Sequence, residues 1–201
     1  MSRIVIYGAG GFGREVLTTA RGHQNVVLAD DRVTGPGIIR TADIAPDDQV
    51  VIAVGDSEVR RRIAIQPLAY GTVIAPTAII GSNVTIGEGG IICDFAMVTA
   101  SARIGRHFHA NIYSYVAHDC VIGDFVTFAP KVCCNGNVHI EDGAYIGTGA
   151  VLRQGTPDRP LRIGRGAVIG MGAVVTKDVP AGETWVGNPA QPIVRRPKLA
   201  A

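Results

Sequence analysis

The chain of 201 residues is long enough for one or two small domains with a buried core. Hydrophobic residues make up 47% of it and aromatic residues only 5%, so the core must be built mainly from aliphatic side chains. The net charge of +2 argues against a protein that binds polyanions such as nucleic acid. Two short basic clusters, Arg60–Arg62 and the segment around Arg195–Lys198, are interpreted as solvated surface.

The N-terminal apolar run, in MSRIVIYGAGGFG, reaches its first glycine after a few residues. It is too short for a signal peptide or a membrane span. The cysteines Cys93, Cys120, Cys133 and Cys134 form no CxxC pair and lack the spacing of zinc ligands. We predict a cytoplasmic protein with reduced thiols and no membrane insertion, in which the adjacent Cys133 and Cys134 are two packed thiols.

Residues 1–72 alternate between strand and helix patterns. RIVIYG, VVLADD and QVVIAVG are predicted strands, GREVLTTARG is a predicted helix ending at Gly22, and DSEVRRRIAIQPLAY is a second helix interrupted by Pro67. This alternation predicts a parallel α/β sheet.

From Ile74 onward the pattern changes, because aliphatic or similar residues recur every six positions. These are Ile74, Ile80, Ile86, Ile92, Val98, Ile104, Ala110, Val116, Ile122, Phe128, Cys134, Ile140, Ile146 and Leu152. Four positions after each stands a mostly small or β-branched residue. Neither a helix period of 3.6 nor simple alternation produces this spacing. Hexapeptide repeats of this kind build a β-helix, in which three flat sides close one coil.

The repeat breaks after Leu152 and resumes at Ile163, eleven residues later instead of six. The five extra residues predict an outward loop within Arg153–Arg162. The predicted fold is thus an α/β half-Rossmann domain at residues 1–72, a parallel β-helix at 73–187 and a C-terminal tail at 188–201.

A glycine-rich segment, GAGGFG, follows the first predicted strand and opens a helix, which fits the G-x-G-x-x-G pattern. Such glycines let backbone N–H groups approach a phosphate. Asp30 and Asp31 end the next strand, where an acid can meet a ribose or base. Because about 70 residues hold only half of a dinucleotide fold, the pattern favours a nucleotide carrying a sugar over NAD, with a simple strand–helix turn as the alternative.

His118 lies between the inward positions Val116 and Cys120, so its ring is predicted to point outward. Asp119 beside it can fix the tautomer of the imidazole, so the pair can act as a base. From the residues alone, an ordinary surface pair is the favoured interpretation. His107, His109 and His139 are predicted at outward or corner positions as solvated residues, with no carboxylate or cysteine to complete a metal site.

The chain resembles the left-handed β-helix acyltransferases in its hexads, in the segment IGMGAVVTKDVPAG and in the closing VGNPA. Two further segments, YGAGGFGRE and HDCVIGDF, narrow the resemblance to one family within this group. The chain resembles the bacterial nucleotide-aminosugar N-acetyltransferases, grouped with the sialic acid O-acetyltransferase-like proteins. That resemblance implies an acetyl-CoA-dependent enzyme of surface glycan biosynthesis, a homotrimer, and active sites between subunits. The Arg153–Arg162 loop is then expected to cover the neighbour and shape the CoA groove.

Site residues follow from the same resemblance. HDC matches the base-plus-acid motif of the family, which assigns His118 as general base and Asp119 as its partner. The nucleotide sugar is expected to be bound by Gly10, Gly11, Phe12, Asp30, Asp31, Gly55 and Asn111. Acetyl-CoA is expected to be bound by Thr127, Gly136, Thr148 and Met171, with the Gly136 N–H near the oxyanion. Phe12 and Thr127 stand where relatives have histidine, so contacts to the sugar nucleotide and the thioester are expected to differ.

Three alternatives stay open at this point. The acceptor can be a hydroxyl of sialic acid or a related sugar instead of an amine. The chain can be a non-catalytic scaffold that binds sugar nucleotides. A β-helix carbonic anhydrase would need a histidine trio on zinc across subunits, and the CoA-type C-terminus disfavours it.

Overall fold

The computed structural model describes residues 3–193 and opens with a parallel four-stranded sheet in the order β3-β2-β1-β4. Its strands are β1 Ile4–Tyr7, β2 Val26–Ala29, β3 Ile38–Ile39 and β4 Gln49–Ile52. Helix α1, Gly11–Thr19, connects β1 to β2, and helix α2, Ser57–Ile63, follows β4. The three predicted strands and two helices are present, and the two-residue edge strand β3 was not predicted. We call residues 3–72 the N-terminal unit.

Local sequence explains where the helices begin and end. Asp56 caps α2, because its carboxylate accepts a hydrogen bond from the Val59 N–H at 2.9 Å. The predicted second helix extended to Tyr70, but α2 ends at Ile63, four residues before Pro67. Proline lacks an N–H and cannot continue a helix interior. Helix α1 passes into a short 3₁₀ turn at Ala20–Gly22, so its end agrees with the predicted stop at Gly22.

The rest of the described chain forms stacked coils, each with three short strands. A strand pairs in parallel with the third strand after it, and paired positions are eighteen residues apart, as in Arg103 with Val121. Three parallel sheets result, which we number as faces. Face one contains Val73–Ile74, Ile91–Ile92, His109–Ala110, Thr127–Phe128, Tyr145–Ile146, Val168–Ile169, Thr184–Val186 and, antiparallel at its end, Gln191–Pro192. Face two contains Ile79–Ile80, Met97–Val98, Tyr115–Val116, Cys133–Cys134, Val151–Leu152 and Val174–Val175. Face three contains Thr85–Ile86, Arg103–Ile104, Val121–Ile122, Val138–Ile140 and Leu161–Ile163.

The hexad residues fill the inside of this parallel β-helix. Ile122, Ile140 and Ile146 are at most 2% exposed, whereas Ile80 and Ile86 in the first coil are half-buried. Ile74 was predicted inside but is 36% exposed, because it belongs to the open first end of the coil. Ile140 pairs with Ile163, twenty-three residues later, so the five-residue insertion lies outside the ladder as predicted.

The N-terminal unit packs on face one. Ile91 and Val73, which point outward from that face, are fully buried in one cluster with Val16 and Val51 of the N-terminal unit. The faces meet at two corners that matter below. The Asn111 corner joins faces one and two, and the His118 corner joins faces two and three.

Neither helix within residues 3–193 is long and apolar enough to cross a bilayer. The basic segment around Arg195–Lys198 lies outside the described residues.

We expect Ile122→Asp to unfold the coil, because the change buries a carboxylate without a partner at a cost of several kcal/mol. The adjacent Val121 points outward on the same strand, beside Arg103, so Val121→Asp is the matched control. Chemical denaturation of both variants measures the difference. Equal stability of the two would contradict the assignment of inside and outside.

Candidate active site

The glycine loop connects β1 to α1, and its glycines divide into two kinds. A Cβ on Gly13 would lie 1.8 Å from the Gly8 carbonyl oxygen, so Gly13 is needed for the close packing of the loop. A Cβ on Gly10 or Gly11 would meet nothing within 4 Å. These two exposed glycines therefore border open space at the N-terminus of α1, where a ligand phosphate could approach backbone N–H groups.

The paired aspartates hold loops in place. Asp30 accepts a hydrogen bond from the Ala9 N–H at 2.8 Å and others from Arg32 and Val33. Burial opposes its ionisation, but these N–H groups lower the pKa of Asp30. Asp31 is exposed and accepts from the Thr41 hydroxyl and N–H, which lower its pKa. Both carboxylates stand ionised beside the glycine loop.

A cleft of about 360 Å³, which we call the glycine cleft, lies between the N-terminal unit and face one. Six residues predicted for the site line it: Gly11, Phe12, Gly55, Asn111, Thr127 and Thr148. A second cleft of about 430 Å³, the lower cleft, adjoins it and is lined by Asp56, Gly143 and Gly166. Gly55, Thr127 and Tyr145 border both clefts, and Tyr145 was not predicted from the sequence.

His118 and Asp119 form a pair at the His118 corner. The His118 Nδ1 lies 2.8 Å from Asp119 Oδ2, and the side chains are 48% and 53% exposed. With Nδ1–H donating to the carboxylate, Nε2 is left as the proton acceptor. Asp119 has φ 58°, a left-handed conformation that aspartate tolerates better than most residues.

Gly136 lies one coil further along the same corner, directly against the imidazole. A Cβ there would be 2.5 Å from both Cε1 and Nε2 of His118. Its N–H is left without an acceptor among the described residues. The Nε2 edge of His118 therefore lies next to Gly136, whose N–H is an available backbone donor.

One chain does not bring all the predicted residues together. The His118 corner joins faces two and three, so it is opposite face one, on which the glycine cleft lies. Thr148 and Met171 are on the Asn111 corner, in successive coils, and Met171 is 81% exposed. His118 is thus separated from the glycine cleft by the full thickness of its own coil.

Arg60 was interpreted as solvated, but it is fully buried between α2 and face one. Its guanidinium donates to the carbonyls of Val54, Gly55 and Phe125 and to the Thr127 hydroxyl. Burial lowers the pKa of Arg60 to about 9, so the group stays charged at neutral pH. The sequence of three arginines does not indicate that Arg60 is buried, because the burial arises only when the N-terminal unit packs on face one.

The prediction that His107 and His109 are solvated is also wrong, since they are 1% and 0% exposed. The N-terminal unit covers them: Phe12 contacts His109 with ring centroids 5.1 Å apart, and Tyr70 meets His107 edge-on. Burial and the charge of Arg60 lower the pKa of His107 to about 4 and that of His109 well below its usual value. Both rings are therefore neutral, and their burial argues against a zinc site shared across subunits.

The cysteines pack differently from the prediction. Cys134 points inward and its Sγ lies 4.0 Å from that of Cys120, whereas the adjacent Cys133 points outward on face two. Successive residues of a strand point to opposite sides, which separates Cys133 from Cys134. No group of three or more potential metal ligands occurs within residues 3–193.

Comparison with known proteins assigns the family. Residues 3–66 match the PglD N-terminal domain. The chain is 45% identical to GDP-perosamine N-acetyltransferase of Escherichia coli O157:H7, over 96% of both sequences. The chain belongs to the nucleotide-aminosugar N-acetyltransferases.

Solved structures agree with this family. WeeI from Acinetobacter baumannii is 48% identical, with a TM-score of 0.89 over 96% of this chain and 100% of that one. The acetyltransferase domain of PglB from Neisseria gonorrhoeae, solved with acetyl coenzyme A, is 30% identical, with a TM-score of 0.84 over 95% and 98%. PerB from Caulobacter crescentus, solved with CoA and GDP-perosamine, is 25% identical, with a TM-score of 0.84 over 96% and 98%. The resemblance inferred from the sequence is confirmed.

In this N-acetyltransferase, we expect His107 to make the fold sensitive to acid. Its pKa is about 4 in the fold and near 6.5 when unfolded, so the unfolded chain takes up the proton first. Stability is therefore full above about pH 6.5 and falls as the pH drops towards about 4. His107→Phe keeps the stacking and should lose less stability between pH 7.5 and 4.5 than the parent. The exposed His23→Gln is the control, and equal losses in all three chains would contradict the assignment.

Gly136→Ala should impair activity without unfolding the coil. Its methyl group would displace the half-exposed His118 ring, which can swing into solvent. We expect kcat to fall by about 10²-fold, as for loss of a positioned base. The loss should be absent when Gly136→Ala is added to His118→Ala, because the two changes disable the same group. Additive losses would show that Gly136 acts independently of the ring.

Proposed function

We propose that this chain transfers the acetyl group of acetyl-CoA to the amino group of a nucleotide-linked amino-deoxysugar in the cytoplasm. The similarity to GDP-perosamine N-acetyltransferase over nearly the full length carries the proposal. The four free thiols suit a reducing compartment. The sheet order β3-β2-β1-β4 supports a half-Rossmann domain at residues 1–72, followed by a left-handed β-helix at 73–187 and a tail at 188–201.

In the proposed reaction, the sugar amine attacks the thioester carbonyl carbon and His118 Nε2 accepts the amine proton. Asp119 holds the imidazole through Nδ1, and the Gly136 N–H donates to the developing oxyanion. Collapse of the intermediate breaks the carbon–sulfur bond and releases the CoA thiolate. That thiolate takes up the proton, so the products are the acetamido sugar and CoA.

The nucleotide sugar is proposed to bind in the glycine cleft. Gly10 and Gly11 border the open space for its phosphates, and Asp31 has the exposed carboxylate for its ribose or base. Phe12, Gly55 and Asn111 line the cleft towards the coil, where the sugar would lie. Asp30 would act indirectly, because its half-buried carboxylate holds the loop backbone, whereas the carboxylate of Asp31 is exposed and can accept further hydrogen bonds besides those from Thr41.

A homotrimer is proposed because face two presents a column of apolar side chains to the outside. Its outward residues are Ile79, Met97, Tyr115, Cys133, Val151 and Val174. If three copies turn this face towards a threefold axis, the His118 corner of each meets the Asn111 corner of the next. The base of one protomer would then reach the glycine cleft of its neighbour.

Acetyl-CoA is proposed to lie in the groove between these two corners. Thr127, Thr148 and Met171 would contact it from one protomer and Gly136 from the other. Arg153, Arg159 and Lys177 line a cleft of about 440 Å³ at the loop Arg153–Arg162. This cleft is two to three coils beyond His118 on the same corner, about 10–15 Å at the usual strand spacing. Its net positive charge, from three basic side chains and the carboxylate of Asp178, suits the phosphates at the far end of CoA.

His118→Ala should lower kcat by about 10²–10⁴-fold while the fold and CoA binding are retained, because the ring is half exposed. Asp119→Asn keeps the left-handed conformation and should cost less. Thiol release from acetyl-CoA with a nucleotide-linked 4-amino sugar measures both, and the matching 4-hydroxy sugar tests O-acetylation. Near-parental kcat in His118→Ala would overturn the base assignment. A parent that acetylates neither sugar would overturn the proposed function.

Val151→Asp should dissociate the trimer and abolish activity, because it introduces a charge into the apolar column of face two. Val121→Asp, on the outer side of face three, is the matched control and should stay trimeric. Sedimentation velocity gives the oligomeric state of each. An active parental monomer would contradict the proposed assembly.

A further inference from the structure

Arg60 has no part in the proposed proton transfer, yet it lies where the glycine cleft and the lower cleft meet. Two of its four hydrogen-bond acceptors, Gly55 and Thr127, border both clefts. The side chain is 0% exposed, so it cannot touch a substrate. Any effect on the reaction must act through the residues that it holds.

The guanidinium joins two parts of the chain that are far apart in sequence. On one side, Nη1 donates to the carbonyls of Val54 at 2.7 Å and Gly55 at 3.2 Å. On the other side, Nη2 donates to the Phe125 carbonyl at 2.7 Å and the Thr127 Oγ1 at 2.9 Å. The Thr127 hydroxyl in turn donates to the Gly55 carbonyl at 3.4 Å, which closes a ring of bonds.

The two sides differ in how they are otherwise held. Thr127 pairs in the ladder with His109 and Tyr145, so the coil keeps its geometry without Arg60. Within residues 3–193 the turn at Gly55 and Asp56 has two other hydrogen bonds to the coil, both from hydroxyl groups. Thr127, which Arg60 itself holds, donates to the Gly55 carbonyl at 3.4 Å, and Ser57 donates to the Gly143 carbonyl at 3.2 Å. The position of this turn against face one therefore depends mainly on the guanidinium. Burying that cation without a carboxylate is costly, and only several well-placed acceptors offset the cost.

We propose that Arg60 is a positioning residue that fixes the Gly55 turn, and with it the bound nucleotide sugar, in register with the acyl-transfer face of the coil. The inference rests on the proposed function, because it takes the glycine cleft as the nucleotide-sugar site. Lysine cannot replace this role, since one ammonium group cannot bridge the four acceptors that the planar guanidinium spans.

Steady-state kinetics of Arg60→Lys in the full-length protein test the inference. We expect KM for the nucleotide amino sugar to rise by about 10-fold or more and kcat to fall, with KM for acetyl-CoA unchanged. Ser57→Ala removes another hydrogen bond that holds the turn on the coil, without changing a charge. It should give the same pattern more weakly, with a raised KM for the sugar and an unchanged KM for acetyl-CoA. Arg62→Lys, exposed on the same helix, is the control and should match the parent.

A merely structural Arg60 would lower the melting temperature and raise both KM values alike, and that result would overturn the inference. Parental kinetics in Arg60→Lys would also overturn it. If Arg60→Lys does not fold, Arg60→Gln, which buries no charge, decides the question through the same comparison of the two KM values. Calorimetry of the parent with GDP, UDP and CoA distinguishes failure of this inference from failure of the proposed function. A parent that binds none of them contradicts the proposed function itself.

Discussion

The hydrogen-bonded ladder between successive coils is the constraint on which the rest of the structure depends. Paired residues lie eighteen positions apart, so each outward position of the repeat becomes a straight column along one face or corner. Different columns of outward residues can therefore serve different functions. Face one carries the N-terminal unit, face two is apolar, and the corner beyond it carries His118. The separation also means that one coil cannot present its His118 to its own glycine cleft.

The junction between the N-terminal unit and face one is unusual because it buries charged and ionisable side chains. It buries the Arg60 cation beside His107 and His109, and low polarity together with that cation keeps both imidazoles neutral. Phe12 packs on His109, and Thr127 pairs with His109 in the ladder and bonds to Arg60. Phe12 and Thr127 are thus neighbours of one buried histidine.

The sequence predicted the coil well because its signal is local and repeated. Ile122, Ile140 and Ile146 follow a strict period, and the five extra residues before Ile163 were found by counting. The outward direction of His118 followed from the same register. Burial of Arg60, His107 and His109 could not be predicted, because it arises from contact between segments with no shared pattern. Ile74 has the hexad spacing, but no earlier coil covers it.

The central claim is that each active site contains residues from two protomers. Subunit complementation tests this claim most directly. Gly11→Asp would put a carboxylate against the nucleotide phosphates, and His118→Ala removes the base, so each variant alone should be nearly inactive. In equimolar mixed trimers, about a quarter of the sites would combine an intact loop with an intact base from the neighbour, and about a quarter of parental activity should return. The account would be contradicted if such trimers, verified by differential tags, were no more active than either variant alone.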